Sequence, residues 1–265
     1  MTNLLKTDFK RIFKDKLFMI VCIIGGAFAL VTPLLYKVLF SAIDAEELLG
    51  AVTSAKSIFF EAFLPGSNFG LIVPVLLSII ICKDFSFGTI RNKIIIGKSR
   101  VSIFLSMFIS SATVLCATVL AHALLTLFIS LIFFDYQAGQ FTAGDFGYLM
   151  LSILFEMLVY IFIAALISFL SVFMKNVGLA IVMYIAINFI FTIIGSIVMV
   201  ASLIAEEKNI ILEFLHNINI FTSSLIGTGS SYEFKDIMYI VLTPIIGTSL
   251  FVFLGITVFK KKDIK

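Results

Sequence analysis

His122, Glu156 and Asn188 each stand inside a long apolar run. At a helical rise of about 1.5 Å per residue, all three fall in the middle third of a bilayer if the runs cross one as helices. An ionisable group at that depth is expensive and faces a bundle interior or a wet cavity. Two readings follow. The three residues form a polar patch in a substrate path, with Glu156 and His122 as a pair, or they are interhelical hydrogen-bond glue.

Other candidate chemistry fails on spacing. Gly97-Lys98-Ser99 ends like a phosphate-binding loop, but G-x-x-x-x-G-K-[ST] requires glycine at 92, where Asn92 stands, and no strand precedes it. A membrane serine protease needs a recessed serine with a histidine base. The two histidines, His122 and His216, fall in an apolar run and in a late loop, and no Gly-x-Ser-x-Gly surrounds an intramembrane serine. Glu46-Glu47 and Glu206-Glu207 lack the histidines a metal site would want. Cys22, Cys82 and Cys116 lie in or at the edge of apolar runs and read as small buried hydrophobes without a disulfide pattern. No enzyme activity, no cofactor or metal on this chain and no nucleic-acid partner are expected.

The elements that carry these residues are legible from composition. The 265 residues are 61% hydrophobic and 13% charged, with 30 Phe and a mean hydropathy of +1.17. A soluble domain needs more charge to cover its surface. The apolar residues cluster in runs of about 20 or more, the length of a helix crossing ~30 Å of hydrocarbon. They do not alternate, which excludes a transmembrane barrel. The expected fold is an all-α polytopic membrane protein, one domain over 1–265, with spans at 17–36, 66–82, 105–134, 148–174, 177–204 and 237–259. The third and fifth runs exceed the minimum, which implies tilt or an interfacial end. The first run is too long for a signal-peptide core, and is read as a retained span.

Charge orients the spans. Segments 1–16, 83–104, 175–176 and 260–265 hold 15 of the 19 Lys and Arg. The other three loops hold Lys37, Lys56, Lys208 and Lys235, with 11 of the 16 acids. The positive-inside rule then places both ends of the chain in the cytoplasm of a cell whose plasma membrane it spans. Tyr36, Tyr136, Tyr148, Tyr232 and Tyr239 fall near the outer boundary as interfacial anchors, and Lys260-Lys261-Lys262 reads as an inner-leaflet anchor.

Three flanking segments have their own patterns. Leu4, Leu5, Phe9, Ile12, Phe13 and Leu17 recur at helical spacing opposite Lys6, Lys10, Arg11 and Lys14, an amphipathic helix lying on the inner leaflet. Segment 205–236 is apolar but interrupted by charge, and reads as an amphipathic or re-entrant outer element. Pro65-Gly66 and Pro74 bracket the outer half of the second span and imply a break or bend there.

Residues 83–100 carry Lys83, Arg91, Lys93, Lys98 and Arg100 against Asp84 alone, a net +4 between two spans. Within them an acidic residue (Asp84), Gly88-Thr89, a basic residue (Arg91) and then Ser99-Arg100 resemble the first cytoplasmic loop of type-2 ABC exporter permeases. The six-span layout, interfacial N-terminal helix and segment before the last span are similar to that family too. In several members the acidic position is Glu, so Asp84 departs mildly. The resemblance implies a coupling helix comprising Asp84, Phe85, Phe87, Gly88, Thr89, Ile90, Arg91 and Lys93 that docks on a dimer of separate cytosolic ATPases. Phe85, Phe87, Ile90 and Ile94 would enter the partner's groove, with Arg91 and Lys93 pairing with acids at its rim. It further implies ATP and Mg in the partner and a second permease chain, identical or not. The cargo is expected to be amphiphilic or hydrophobic, a peptide, antimicrobial or lipid-like molecule moved outward. Two alternatives remain: an ion-coupled transporter or channel using Glu156 and His122, and a membrane immunity or scaffold protein that moves nothing.

Overall fold

A computed structural model describes residues 1–42, 54–137, 142–204, 210–220 and 234–262. Among the described residues the chain is helical, without strands. In order the helices are α1 (Thr2–Lys14), α2 (Lys16–Ala42), α3 (Ala55–Phe63), α4 (Asn68–Ser86), α5 (Thr89–Ile95), α6 (Arg100–Phe133), α7 (Ala143–Met174), α8 (Val177–Ile204), α9 (Ile210–Ile218) and α10 (Phe234–Lys261). Six of them, α2, α4, α6, α7, α8 and α10, are long and apolar enough to cross a membrane. The protein is a six-span helical membrane protein.

α4 and α7 are the most enclosed spans, while α2, α8 and α10 turn most of their surface outward, where lipid covers it. α7 packs against α4, α6, α8 and α10. Small residues let aromatic rings enter neighbouring helices. An added Cβ at Gly255 would lie 2.1 Å from the Phe104 ring, at Gly25 2.4 Å from Phe69, and at Gly247 2.7 Å from Phe162. Between α4 and α7, Ser78 and Ser171 hydroxyls meet at 3.4 Å.

The second span is α4, close to the 66–82 expected, and the break expected at Pro65-Gly66 separates it from a short helix that precedes it, α3. The Ala55 and Lys56 amides donate to the Asp135 and Tyr136 carbonyls beyond the end of α6, both at 3.0 Å. From there α3 descends along α6, and Ile58, Phe59 and Phe63 are buried. Ser54 caps its start with a capping box. The chain then breaks at Leu64–Ser67 and restarts as α4, capped by Ser67. Backbone left open at this depth must find a partner within the protein. The Tyr160 hydroxyl supplies one, donating to the Phe63 carbonyl at 2.8 Å. Gly70 permits the close approach, since a Cβ there would meet the Leu64 carbonyl oxygen at 2.4 Å. Lys56 and Glu61 give this segment the charge of a loop, and its burial comes from α6 and α7. Of the four prolines only Pro65 interrupts a helix; Pro33, Pro74 and Pro244 lie within α2, α4 and α10.

α9 packs on α8 and α10, and the Asn219 amide just after it donates to the Phe191 carbonyl in the middle of α8 at 2.7 Å. The segment before the last span therefore reaches the middle of α8. Residues 205–209 and 221–233 of the expected outer element, including Tyr232, lie outside the described residues.

The end of α10 is fastened at the basic end of the bundle. Arg100 Nη1 donates to the carbonyls of Phe259, Lys260 and Lys262 at 3.1, 2.9 and 2.7 Å, capping the end of α10. Lys262 donates to the Val172 carbonyl at 2.7 Å and also to that of Phe173, closing the end of α7. Burial, and then the nearby Lys175, push the Lys262 ammonium below its ordinary range. The last lysine of that triplet thus closes a helix in addition to any role at the membrane surface. Cys22 also departs from expectation: it is exposed on α2, whereas Cys82 is buried.

Candidate functional site

The loop at 87–99 is built by two left-handed glycines and one serine cap. Gly88, at φ +68°, ends α4 and opens α5. Gly97, at φ +83°, ends α5. There the Lys98 amide reaches the Lys93 carbonyl at 3.1 Å and the Gly97 amide the Ile94 carbonyl at 2.9 Å, the paired bonds of a Schellman ending. The Ser99 side chain then accepts from the Ser102 amide to start α6. Gly97, Ser99 and Arg100 are thus accounted for by helix ends.

Below this loop lies a buried charge network that ties it to α1. Leu4, Asp8 and Ile12 share the inward face of α1. Asp8 Oδ1 accepts from Lys93 Nζ at 2.6 Å, and Asp8 Oδ2 from the Ser106 hydroxyl at 2.6 Å. Arg11 pairs with Asp84 and lies 3.9 Å from Asp8. Lys83 reaches Asp15 at 3.4 Å. Asp8, Asp84 and Lys93 are all buried. Ion pairs held away from water resist separation, because removing one partner leaves the other charge unsolvated. α1, the end of α4, α5 and the start of α6 are thereby joined.

The residues assigned to docking divide sharply. Ile90 is completely buried and Lys93 is engaged by Asp8, so neither faces a partner as the sequence suggested. Asp84 is buried against Arg11, and Phe85 is half-buried against the Phe259 ring at 6.2 Å. Ile94 packs partly against the core. Phe87, Ile95 and Ile96 are 71–76% exposed, with Arg91, Asn92 and Lys98 exposed beside them. Thr89 and Gly88 lie between the two sets. One turn of α5 explains the split, since residues 90, 93 and 94 share a face and 91, 92 and 95 take the other. Ile95 and Ile96 were not singled out by the sequence, where they look like the end of an apolar triplet. Asp8 was missed too, although an acid between Leu4 and Ile12 on the apolar face was the available signal.

His122, Glu156 and Asn188 do not form one patch. His122 Nδ1 lies 3.0 Å from the Gly25 carbonyl on α2, and its ring stacks on Phe69 with centroids 4.3 Å apart. The expected pairing with Glu156 is absent because the His122 face of α6 is turned to α2 and α4. Glu156 is buried on α7 near Tyr160, and Asn188 is buried on α8 one turn from Tyr184. α7 and α8, which carry Glu156 and Asn188, pack against each other. Tyr36, expected as an interfacial anchor, donates to Glu61 at 2.6 Å.

The fold and these sites define a multi-pass helical membrane protein with a clamped basic loop helix at one end and a short helix ahead of the second span at the other. The chain belongs to the family described as proteins of unknown function, DUF2705, whose model matches residues 18–265. The match takes in Asp84 and Lys93 and begins after α1. No curated protein matches the chain.

Proposed function

We propose that this protein is the membrane permease subunit of an ABC exporter, with α5 as the helix that receives motion from a separate cytosolic ATPase. The observation that carries the reading is the exposed patch of Phe87, Ile95 and Ile96 beside Arg91 and Lys98, on a short helix fixed from beneath by buried ion pairs. Large apolar side chains ringed by positive charge fit the anchor-and-rim pattern of a protein interface. A rigid mount lets force on α5 reach α1, α4 and α6. In this reading both ends of the chain are cytoplasmic in the plasma membrane, ATP and Mg are held by the partner, and a second permease chain completes the pathway. The cargo is amphiphilic or hydrophobic and moves outward.

The test is co-purification with a co-expressed cytosolic ABC ATPase from the same cell, and stimulation of that ATPase in nanodiscs. Phe87→Ala with Ile96→Ala should weaken the complex about tenfold or more while leaving the unfolding temperature unchanged. Normal binding and coupling by that double variant would sink the assignment.

A further inference from the structure

We propose that the cleft where α2, α3, α4 and α6 meet binds the primary ammonium group of an amphiphilic cation. Phe28 and Thr32 of α2, Glu61 of α3, Ser67 and Phe69 at the start of α4, and His122 of α6 line it. Two of its polar groups, Glu61 and His122, each keep an open acceptor, beside the Thr32 and Ser67 hydroxyls. Glu61 Oε2 takes the Tyr36 hydroxyl at 2.6 Å, which orients the carboxylate, and Oε1 takes no hydrogen bond from the described residues. His122 is 92% buried, with 8% of its surface exposed. Because a carbonyl only accepts, the 3.0 Å contact to Gly25 makes Nδ1 the donor. In the neutral ring Nε2 is then an acceptor, and it has no partner among the described residues. The end of α3 adds the negative pole of a short helix. Among the described residues no lysine or arginine lines the cleft.

A carboxylate oxygen and an imidazole nitrogen that both stand open as acceptors suit a ligand rich in N–H groups and positive charge. An ammonium supplies three donors. The Phe28 and Phe69 rings suit the attached carbons and attract the cation. A metal ion fits less well, since the described residues bring together no group of three His, Cys, Asp or Glu side chains. Joined to the transport proposal, on which this clause alone rests, the site would make the cargo a cationic amphiphile.

The test uses the full chain in phosphatidylcholine nanodiscs without any ATPase, so its outcome is independent of docking at α5. n-Hexylammonium, n-hexanol and zinc are titrated separately by calorimetry and by nitrogen-15 NMR of the two histidines, which distinguishes His122 from His216. Hexylammonium should bind and shift the His122 Nε2 resonance, and hexanol should not. Glu61→Gln should weaken amine binding by about tenfold or more, the loss expected for a charged hydrogen bond. Tyr36→Phe, which keeps the carboxylate, should weaken it less. Equal response to hexanol, unchanged affinity in folded Glu61→Gln, or a shift with zinc but none with saturating amine would each overturn the proposal. If Glu61→Gln does not fold, the wild-type NMR titration decides alone.

Discussion

Asp8 shows how a single residue changes the meaning of its helix. Between Leu4 and Ile12, it turns an amphipathic helix that would lie on lipid into one locked to the loop above it through Lys93 and Ser106. Asp8→Ala should destabilise the protein by about 3 kcal/mol, because Lys93 is left buried and unpaired. Arg91→Ala, on the exposed side of the same loop, should change stability by no more than about 0.5 kcal/mol. Thermal unfolding in detergent measures both. Similar losses for the two variants would mean that the network is not the anchor. The contrast also separates folding from the proposed docking: variants of Asp84 or Lys93 would disturb both, whereas Phe87, Arg91, Ile95 and Ile96 would report on the proposed interface alone.

At the scale of elements, the short helix α3 ahead of the second span is the main departure from the sequence pattern. The apolar run at 66–82 and Pro65-Gly66 predict a span with an outer bend. They do not predict that residues 55–63 also enter the helical layer, with a charge at each end of that segment. Burial there comes from α6, reached through backbone bonds to Asp135 and Tyr136, and from the Tyr160 hydroxyl on Phe63. Tyr160→Phe removes that bond without removing the ring and should cost about 1–2 kcal/mol by leaving a buried carbonyl unsatisfied. It should also raise hydrogen exchange at residues 64–70 more than in α6. Uniform exchange, or no loss of stability, would show that the break is satisfied in another way. The loop at 87–99 was more legible, since Gly88, Gly97 and Ser99 are punctuation residues at helix ends. The direction each side chain of α5 takes was not, because seven residues carry too little periodicity to choose a face.

For the whole molecule, the structure brings the start of the chain, the loop at 83–100 and the end of α10 to one side through Lys83–Asp15 and Arg100 with the final carbonyls. From the asymmetry of Lys and Arg we propose that this side faces the cytoplasm. With the three native cysteines replaced by alanine, a membrane-impermeant maleimide added to intact cells should label Gly147→Cys, at the opposite end, and leave Ile96→Cys unmodified until the membrane is opened. Labelling of position 96 from outside would reverse the orientation. Labelling of both from one side would contradict the fold.

The sequence by itself determined the class, six spans, the common side of the chain's ends and the existence of a basic loop helix. Those follow from run length, charge asymmetry and local turn residues, all of which act along the chain. Only the tertiary structure decided which side chains of that loop are internal, that His122 turns to α2 rather than to Glu156, and that Glu61 enters a cleft. Each depends on which helix face meets which neighbour, and hydrophobicity alone cannot rank faces in chains that are apolar all round. The loop helix, first visible as a concentration of charge, is thereby resolved into an inner side that holds the protein together and an outer side open to a partner.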